Sequence, residues 1–147
     1  MKVSKCLLYL APLFSLFGCS QQNETKVQET ETQVVNHDYD EVGDYELMWD
    51  TMFDVETPQY YVYIYSTTCS HCEDLKNYII EKALSNKNIY FVKGSSKDQI
   101  GNNANKPKYA ENPGDIWILG YPSLLEFHDK KCIKSFAGND KIYEELK

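Results

Sequence analysis

From Gln59 to Tyr65 the chain runs Gln-Tyr-Tyr-Val-Tyr-Ile-Tyr, almost wholly apolar and aromatic, and then breaks at the polar Ser66-Thr67-Thr68, three residues able to cap a helix. A short run without polar alternation reads as a strand covered on both faces, which places it at the centre of a sheet. Beyond the break a helix is predicted to begin at Cys69–Cys72 and to continue over 73–84, where Leu75, Tyr78, Ile79 and Leu84 recur at helical spacing as its buried face. Residues 88–93 read as the next strand. Ser123–His128 and Lys131–Ala137 form an antiparallel pair about Asp129-Lys130, and 139–147 a short final helix capped by Asn139 or Asp140. Ahead of the central strand, Tyr45, Met48, Trp49 and Met52, with Phe53 widening the stripe, predict an amphipathic helix over 44–55. Residues 94–114 are polar, with Gly101-Asn102-Asn103-Ala104-Asn105 and two prolines, and read as a loop with at most a short helix. Loops of that length in a compact domain are functional or mobile.

The first part of the chain has a different pattern. An apolar run over 7–17, interrupted by Pro12 and preceded by Lys2 and Lys5, has the layout of a secretory signal and is too short to span a bilayer as a stable anchor. Leu16-Phe17-Gly18-Cys19 resembles a bacterial lipobox, which implies lipidation of Cys19 and its exposure as the new N-terminus; Phe17 is bulkier than the usual occupant. The alternative is an ordinary signal peptide with a cysteine nearby. Ser20 to about Asp40 is rich in Gln, Glu, Thr and Asn and cannot bury enough apolar surface to offset ordering, so it reads as a flexible tether in which His37 is solvated. About 20 residues of coil reach on the order of 25 Å. The organisation expected is therefore a lipoprotein signal peptide (1–18), a polar linker (19–43) and one domain (44–147).

Composition narrows the classes. Hydrophobic residues make up 42% and aromatics 14%, enough for a core. The formal net charge is −7, and loss of Lys2 and Lys5 with the leader takes it to −9. With no basic face, nucleic acid is excluded as a partner.

The candidate chemistry lies at Cys69-Ser70-His71-Cys72, where the predicted strand gives way to the predicted helix. The unpaired amides and positive dipole end of a helix favour a thiolate at Cys69, and a protonated His71 would add to this. Cys72, three residues on and on the same helical face, is near enough to attack a mixed disulfide at Cys69. The same spacing could make half of a zinc site, but no second Cys/His pair stands at metal spacing. Cys132 reads as a small buried hydrophobe, and His128 near the hairpin tip as exposed.

The stretch from Gln59 to Cys72 resembles the active-site strand, turn and helix of the thioredoxin superfamily. Gly120-Tyr121-Pro122-Ser123-Leu124-Leu125-Glu126-Phe127 is similar to that family's cis-proline loop and following strand, and Gly138 falls where a glycine commonly closes the fifth strand. The resemblance implies a three-layer α/β/α fold with a mixed central sheet. It also implies a redox disulfide between Cys69 and Cys72, with Thr68, Gly120, Tyr121 and Pro122 meeting the substrate and the backbone of Tyr121 facing the cysteines. Two departures stand out. The tryptophan before the first cysteine is replaced by Thr68, and the buried carboxylate six residues before it by Tyr63, which puts an efficient base for Cys72 in doubt.

The function expected is a membrane-tethered thiol–disulfide oxidoreductase on the extracytoplasmic face of a bacterial envelope. It would act as a monomer on protein thiols and disulfides, with no cofactor and no metal. The catalytic set is Cys69, Cys72 and His71. A histidine before the second cysteine resembles disulfide-donating and isomerising relatives. A lipid anchor resembles reductases fed by a membrane electron-transfer partner, and the reading favours the reductant. The alternatives are the disulfide donor, a Cu(I) metallochaperone using Cys69, Cys72 and His71, and a structural disulfide that closes too short a loop to stabilise much.

Overall fold

The computed structural model describes residues 35–85, 87–96, 98–101 and 109–147. The expected signal peptide, Cys19 and the linker up to 34 lie outside the described residues, as do 102–108 of the long loop.

Five strands form one mixed sheet in the order β1-β3-β2-β4-β5. They are β1 (Glu46–Leu47), β2 (Gln59–Tyr65), β3 (Ile89–Lys93), β4 (Ser123–His128) and β5 (Lys131–Ala137); helix α1 spans Ser70–Leu84 and α2 spans Asn139–Glu145. β1 and β2 flank β3 in parallel, and β2, β4 and β5 are antiparallel neighbours. The central strand is β2, with Val62 opposite Tyr90 on one side and Leu125 on the other.

Alternation along β2 divides the core. Tyr61, Tyr63 and Tyr65 face α1 and α2 together with Leu75, Ile79, Ile80 and Ile142. Tyr60, Val62 and Ile64 face the other way, onto Trp49, Met52, Phe53, Ile116 and Ile118. There Tyr60 stacks on Phe127 at 4.7 Å and donates its hydroxyl to the Met52 carbonyl at 2.8 Å. The layer over this second face is built from 3₁₀ turns and loop, with Trp49–Thr51 and Pro113–Asp115 as its regular pieces. The hairpin turns at Asp129 (φ 46°) and Lys130 (φ 60°), the paired positive φ values of a two-residue turn matched to strand twist.

Four expectations need correction. The predicted helix over 44–55 is instead the edge strand β1 followed by a 3₁₀ turn. Tyr45 and Met48, placed on its buried stripe, are 38% and 70% exposed. The open edge of β3 offers ladder bonds to Glu46–Leu47, and the Thr51 hydroxyl bonds both backbone groups of Met48, closing a single turn. Side-chain competition of this kind is what unseats a short, marginal helix.

Residues 35–43, assigned to the linker, pack on the domain. Tyr39 stacks on Tyr65 at 3.9 Å and Val42 is fully buried. The backbone of His37 donates to Asn77 at 2.8 Å, and its ring pairs with Glu41 at 3.0 Å. Two apolar residues three apart suffice to hold a 3₁₀ helix over Tyr39–Tyr45 against α1, although the surrounding composition is polar.

The buried face of α1 is Cys72, Leu75, Ile79, Ile80 and Ala83, whereas Leu84 is 44% exposed. Leu84 lies nine residues from Leu75, which at 3.6 residues per turn puts it on the opposite side of the helix, whereas Ile80 falls within the buried stripe. Neither helix is capped by a residue expected to cap it. Cys69 itself is the N-cap of α1, while Ser66 and Thr68 bond each other in the preceding turn. Gly138, at φ 86°, is the N-cap of α2, a conformation that favours glycine.

Candidate active site

Cys69 sits at the junction of turn and helix. Its amide donates to the Ser66 carbonyl at 3.2 Å, and its own carbonyl accepts from the amides of Cys72 and Glu73, so the backbone is fixed from both sides. The side chain is half-buried and makes no capping bond to the first-turn amides. Instead its thiol donates to the carbonyl oxygen of Tyr121 at 3.4 Å.

Cys72 lies one helical turn on and is 1% exposed. Both cysteines are free thiols. Burial pushes the Cys72 thiol up to about 12, and the neighbouring Cys69 sulfur adds to this. The backbone of Ser66 and the hydroxyl of Tyr63 pull the other way. The two thiols are therefore unequal: one reaches solvent and the other lies beneath it.

The loop that meets Cys69 is held by several bonds. Tyr121–Pro122 is a cis peptide bond. Ser123 Oγ donates to the Gly120 carbonyl at 2.7 Å, and the Gly138 amide donates to the Pro122 carbonyl at 3.1 Å. The Tyr121 hydroxyl donates to Asp98 at 2.5 Å, and its ring lies so close to Gly94 that a Cβ there would stand 2.6 Å from it. Sequence reasoning missed Gly94 and Asp98. Both belong to the long polar segment after β3, where no hydrophobic period marks a position as important.

A parallel strand, a helix opened by two cysteines, a second parallel strand, and a cis-proline loop leading into an antiparallel hairpin meet at one sheet end. The fold is thioredoxin-like. No family model matches the chain, and no curated protein matches it. Among solved structures it is similar to thioredoxin f2 of Chlamydomonas reinhardtii at 17% identity, over 69% of this chain and 91% of that one, with a TM-score of 0.45. It is also similar to the oxidized form of mitochondrial thioredoxin 3 from Saccharomyces cerevisiae, at 14% identity over 73% and 93% with a TM-score of 0.47. A thioredoxin from Plasmodium falciparum stands at 12% identity over 67% and 86%, with a TM-score of 0.43. At such distances the strand order and the dithiol, not the likeness, carry the argument.

In this thioredoxin-like frame most of the expected site residues converge. Thr68 is exposed beside Cys69, and Pro122 is buried next to Tyr121. His71 is exposed and lines a cavity of about 430 Å³ with Tyr121, Pro122, Ala137, Gly138 and Asn139. It makes no hydrogen bond to Cys69 among the described residues, so it stands at the rim of the site. Tyr63 occupies the floor, fully buried beneath Cys72.

Cys132 is elsewhere, on the far side of the sheet, where it pairs with Ala110 and packs in the second core. Burial pushes its thiol up to about 12, and it serves as a small apolar residue. His128 is only half-exposed and bonds Glu126 at 2.9 Å. Among the described residues no three of His, Cys, Asp and Glu converge as a metal site. The arrangement suits dithiol chemistry: an accessible sulfur that a partner can reach, and a covered sulfur within reach of the first.

Proposed function

We propose that this chain is a thiol–disulfide oxidoreductase that exchanges disulfides with partner proteins. The reading is supported above all by the unequal burial of Cys69 and Cys72 at the start of α1, with Cys69 against the backbone of Tyr121. Cys69 attacks the partner disulfide. A mixed disulfide forms between Cys69 and one partner sulfur, and the other leaves as a thiol. Cys72 then attacks Cys69, and the second partner sulfur is released. An extended partner segment lies along Thr68, Gly120, Tyr121 and Pro122, with Tyr121 offering main-chain groups, while His71 is exposed at the rim of the same opening.

In this reading the protein works outside the cytoplasm, held to a bacterial membrane by lipid on Cys19. It acts as a reductant supplied with electrons by a membrane partner. Two or more acyl chains give a durable anchor, at about 0.8 kcal/mol per buried methylene. The motif Leu16-Phe17-Gly18-Cys19 supports this part, and replacing Cys19 with alanine tests it: the protein is expected to leave the membrane fraction, and retention there would remove the anchor from the account.

The redox part is tested by the reduction of a protein disulfide together with the reduction potential of the pair. Turnover with a potential at or below about −200 mV is expected of a reductant, and a value near about −120 mV would reverse the direction proposed.

A further inference from the structure

Beneath the dithiol lies a hydroxyl to which the steps of disulfide exchange give no part. Tyr63, on the helix-facing side of β2, is fully buried, and its hydroxyl makes no hydrogen bond of ordinary geometry to any described residue. A buried hydroxyl left unpaired is destabilising, and phenylalanine would fill the same volume without it. Packing therefore does not account for the oxygen. The ring is fixed, parallel to Tyr65 at 6.1 Å and edge-on to Phe91 at 5.8 Å, so the hydroxyl's freedom is rotation about its C–O bond.

Cys72 shares the core cluster of Tyr63, Tyr39 packs against that cluster, and both act on the Tyr63 phenol. The Tyr39 proton is engaged with the Cys72 carbonyl oxygen at 3.4 Å. The Tyr63 hydroxyl is thus a free donor between a neutral oxygen and a sulfur whose charge changes during exchange.

We propose that the Tyr63 hydroxyl is a catalytic hydrogen-bond donor that stabilises the Cys72 sulfur as it becomes a thiolate and expels a partner held on Cys69. The inference rests on the exchange reading above and assigns the floor of that site. In the step concerned, Cys72 gives up its proton and its sulfur attacks the Cys69 sulfur. The Cys69–Cys72 bond forms, the bond from Cys69 to the partner breaks, and the partner sulfur leaves with the electron pair and takes up a proton. The two cysteines are oxidised to a disulfide and the partner is reduced to a thiol. Tyr63 keeps its own proton. Burial, with Tyr39 and Cys72 beside it, pushes the phenol far above its ordinary range, so it donates and does not act as a base. Cys72 is where such a donor is needed, because burial disfavours its thiolate.

The test follows the reduced full-length chain after mixing with an aromatic disulfide such as 5,5′-dithiobis(2-nitrobenzoate). Acid-quenched samples are mapped by mass to count the adduct on Cys69. In Tyr63→Phe the rate of adduct decay relative to adduct formation is expected to fall about tenfold, as for loss of a hydrogen bond to a charged group, with its pH profile moved upward. The variant is expected to melt at or above the wild-type temperature. In Tyr39→Phe, which leaves the sulfur as the acceptor near Tyr63, decay is expected to be at least as fast as in wild type. A ratio and pH profile unchanged in Tyr63→Phe, or an equal slowing in Tyr39→Phe, would overturn the assignment while leaving exchange intact. A wild-type chain that forms no Cys69 adduct, or never resolves it, would overturn the exchange reading and this inference with it.

Discussion

The thiol of Cys69 donates to the carbonyl oxygen of Tyr121 at 3.4 Å, across 52 residues of sequence. The contact joins the start of α1 to the loop ahead of β4. Whatever positions Tyr121 therefore positions the neighbour of the reactive sulfur. Asp98 holds the Tyr121 hydroxyl, and Gly94 leaves the room its ring occupies.

Gly94→Ala tests that support. The added methyl would stand 2.6 Å from the ring, and the ring must move. Overpacking of this kind costs about 1–3 kcal/mol. The expected outcome is lower stability together with weaker capture of partner disulfides, measured by thermal unfolding and by KM for a protein disulfide. Asp98→Asn keeps the volume and is expected to affect KM more than stability.

Thiol reactivity should follow burial. Cys69 is half-buried, whereas Cys72 and Cys132 are covered and both pushed up to about 12. At pH 7, brief treatment of the reduced protein with iodoacetamide followed by peptide mapping is expected to label Cys69 at least about tenfold faster than Cys132. Comparable labelling of the two would mean that access does not distinguish them.

Glu126 predicts an acid limit to stability. Burial alone would push its carboxyl up, but an ion pair with Lys134 at 2.8 Å and a hydrogen bond with His128 at 2.9 Å outweigh it and hold the carboxyl below the ordinary range. A carboxylate that ionises more readily in the folded state stabilises the fold above its unfolded pKa. That contribution is lost as pH falls below about 4.5. Glu126→Gln is therefore expected to melt lower than wild type at pH 7, with the gap narrowing toward pH 3. A gap that stays constant across this range would remove the Lys134 ion pair from the account.

Much of this was legible in the sequence. Gln59–Tyr65, Ser123–His128 and Lys131–Ala137 coincide with the strands expected, because a fully covered strand and a tight hairpin leave local signatures that tertiary context does not override. The cysteines fall at the start of α1 for the same reason: an apolar run ends, and a helical period begins. Tyr45, Met48, Trp49 and Met52 misled because their spacing fits a helix, while an open sheet edge and one threonine hydroxyl favour a strand and a turn. Tyr39 was lost in polar surroundings. A single aromatic that stacks on a distant strand leaves no period to detect. Gly94 and Asp98 matter only through Tyr121, a relation that exists in space and not along the chain.

The most direct measurement compares Cys72→Ser with Cys69→Ser after exposure to a protein disulfide, each resolved on a non-reducing gel and mapped by mass. Cys72→Ser is expected to accumulate a covalent adduct through Cys69, released by added dithiol, whereas Cys69→Ser accumulates little. Equal trapping by the two variants, or none by either, would contradict the division of labour between a half-buried attacking sulfur and a fully buried resolving one.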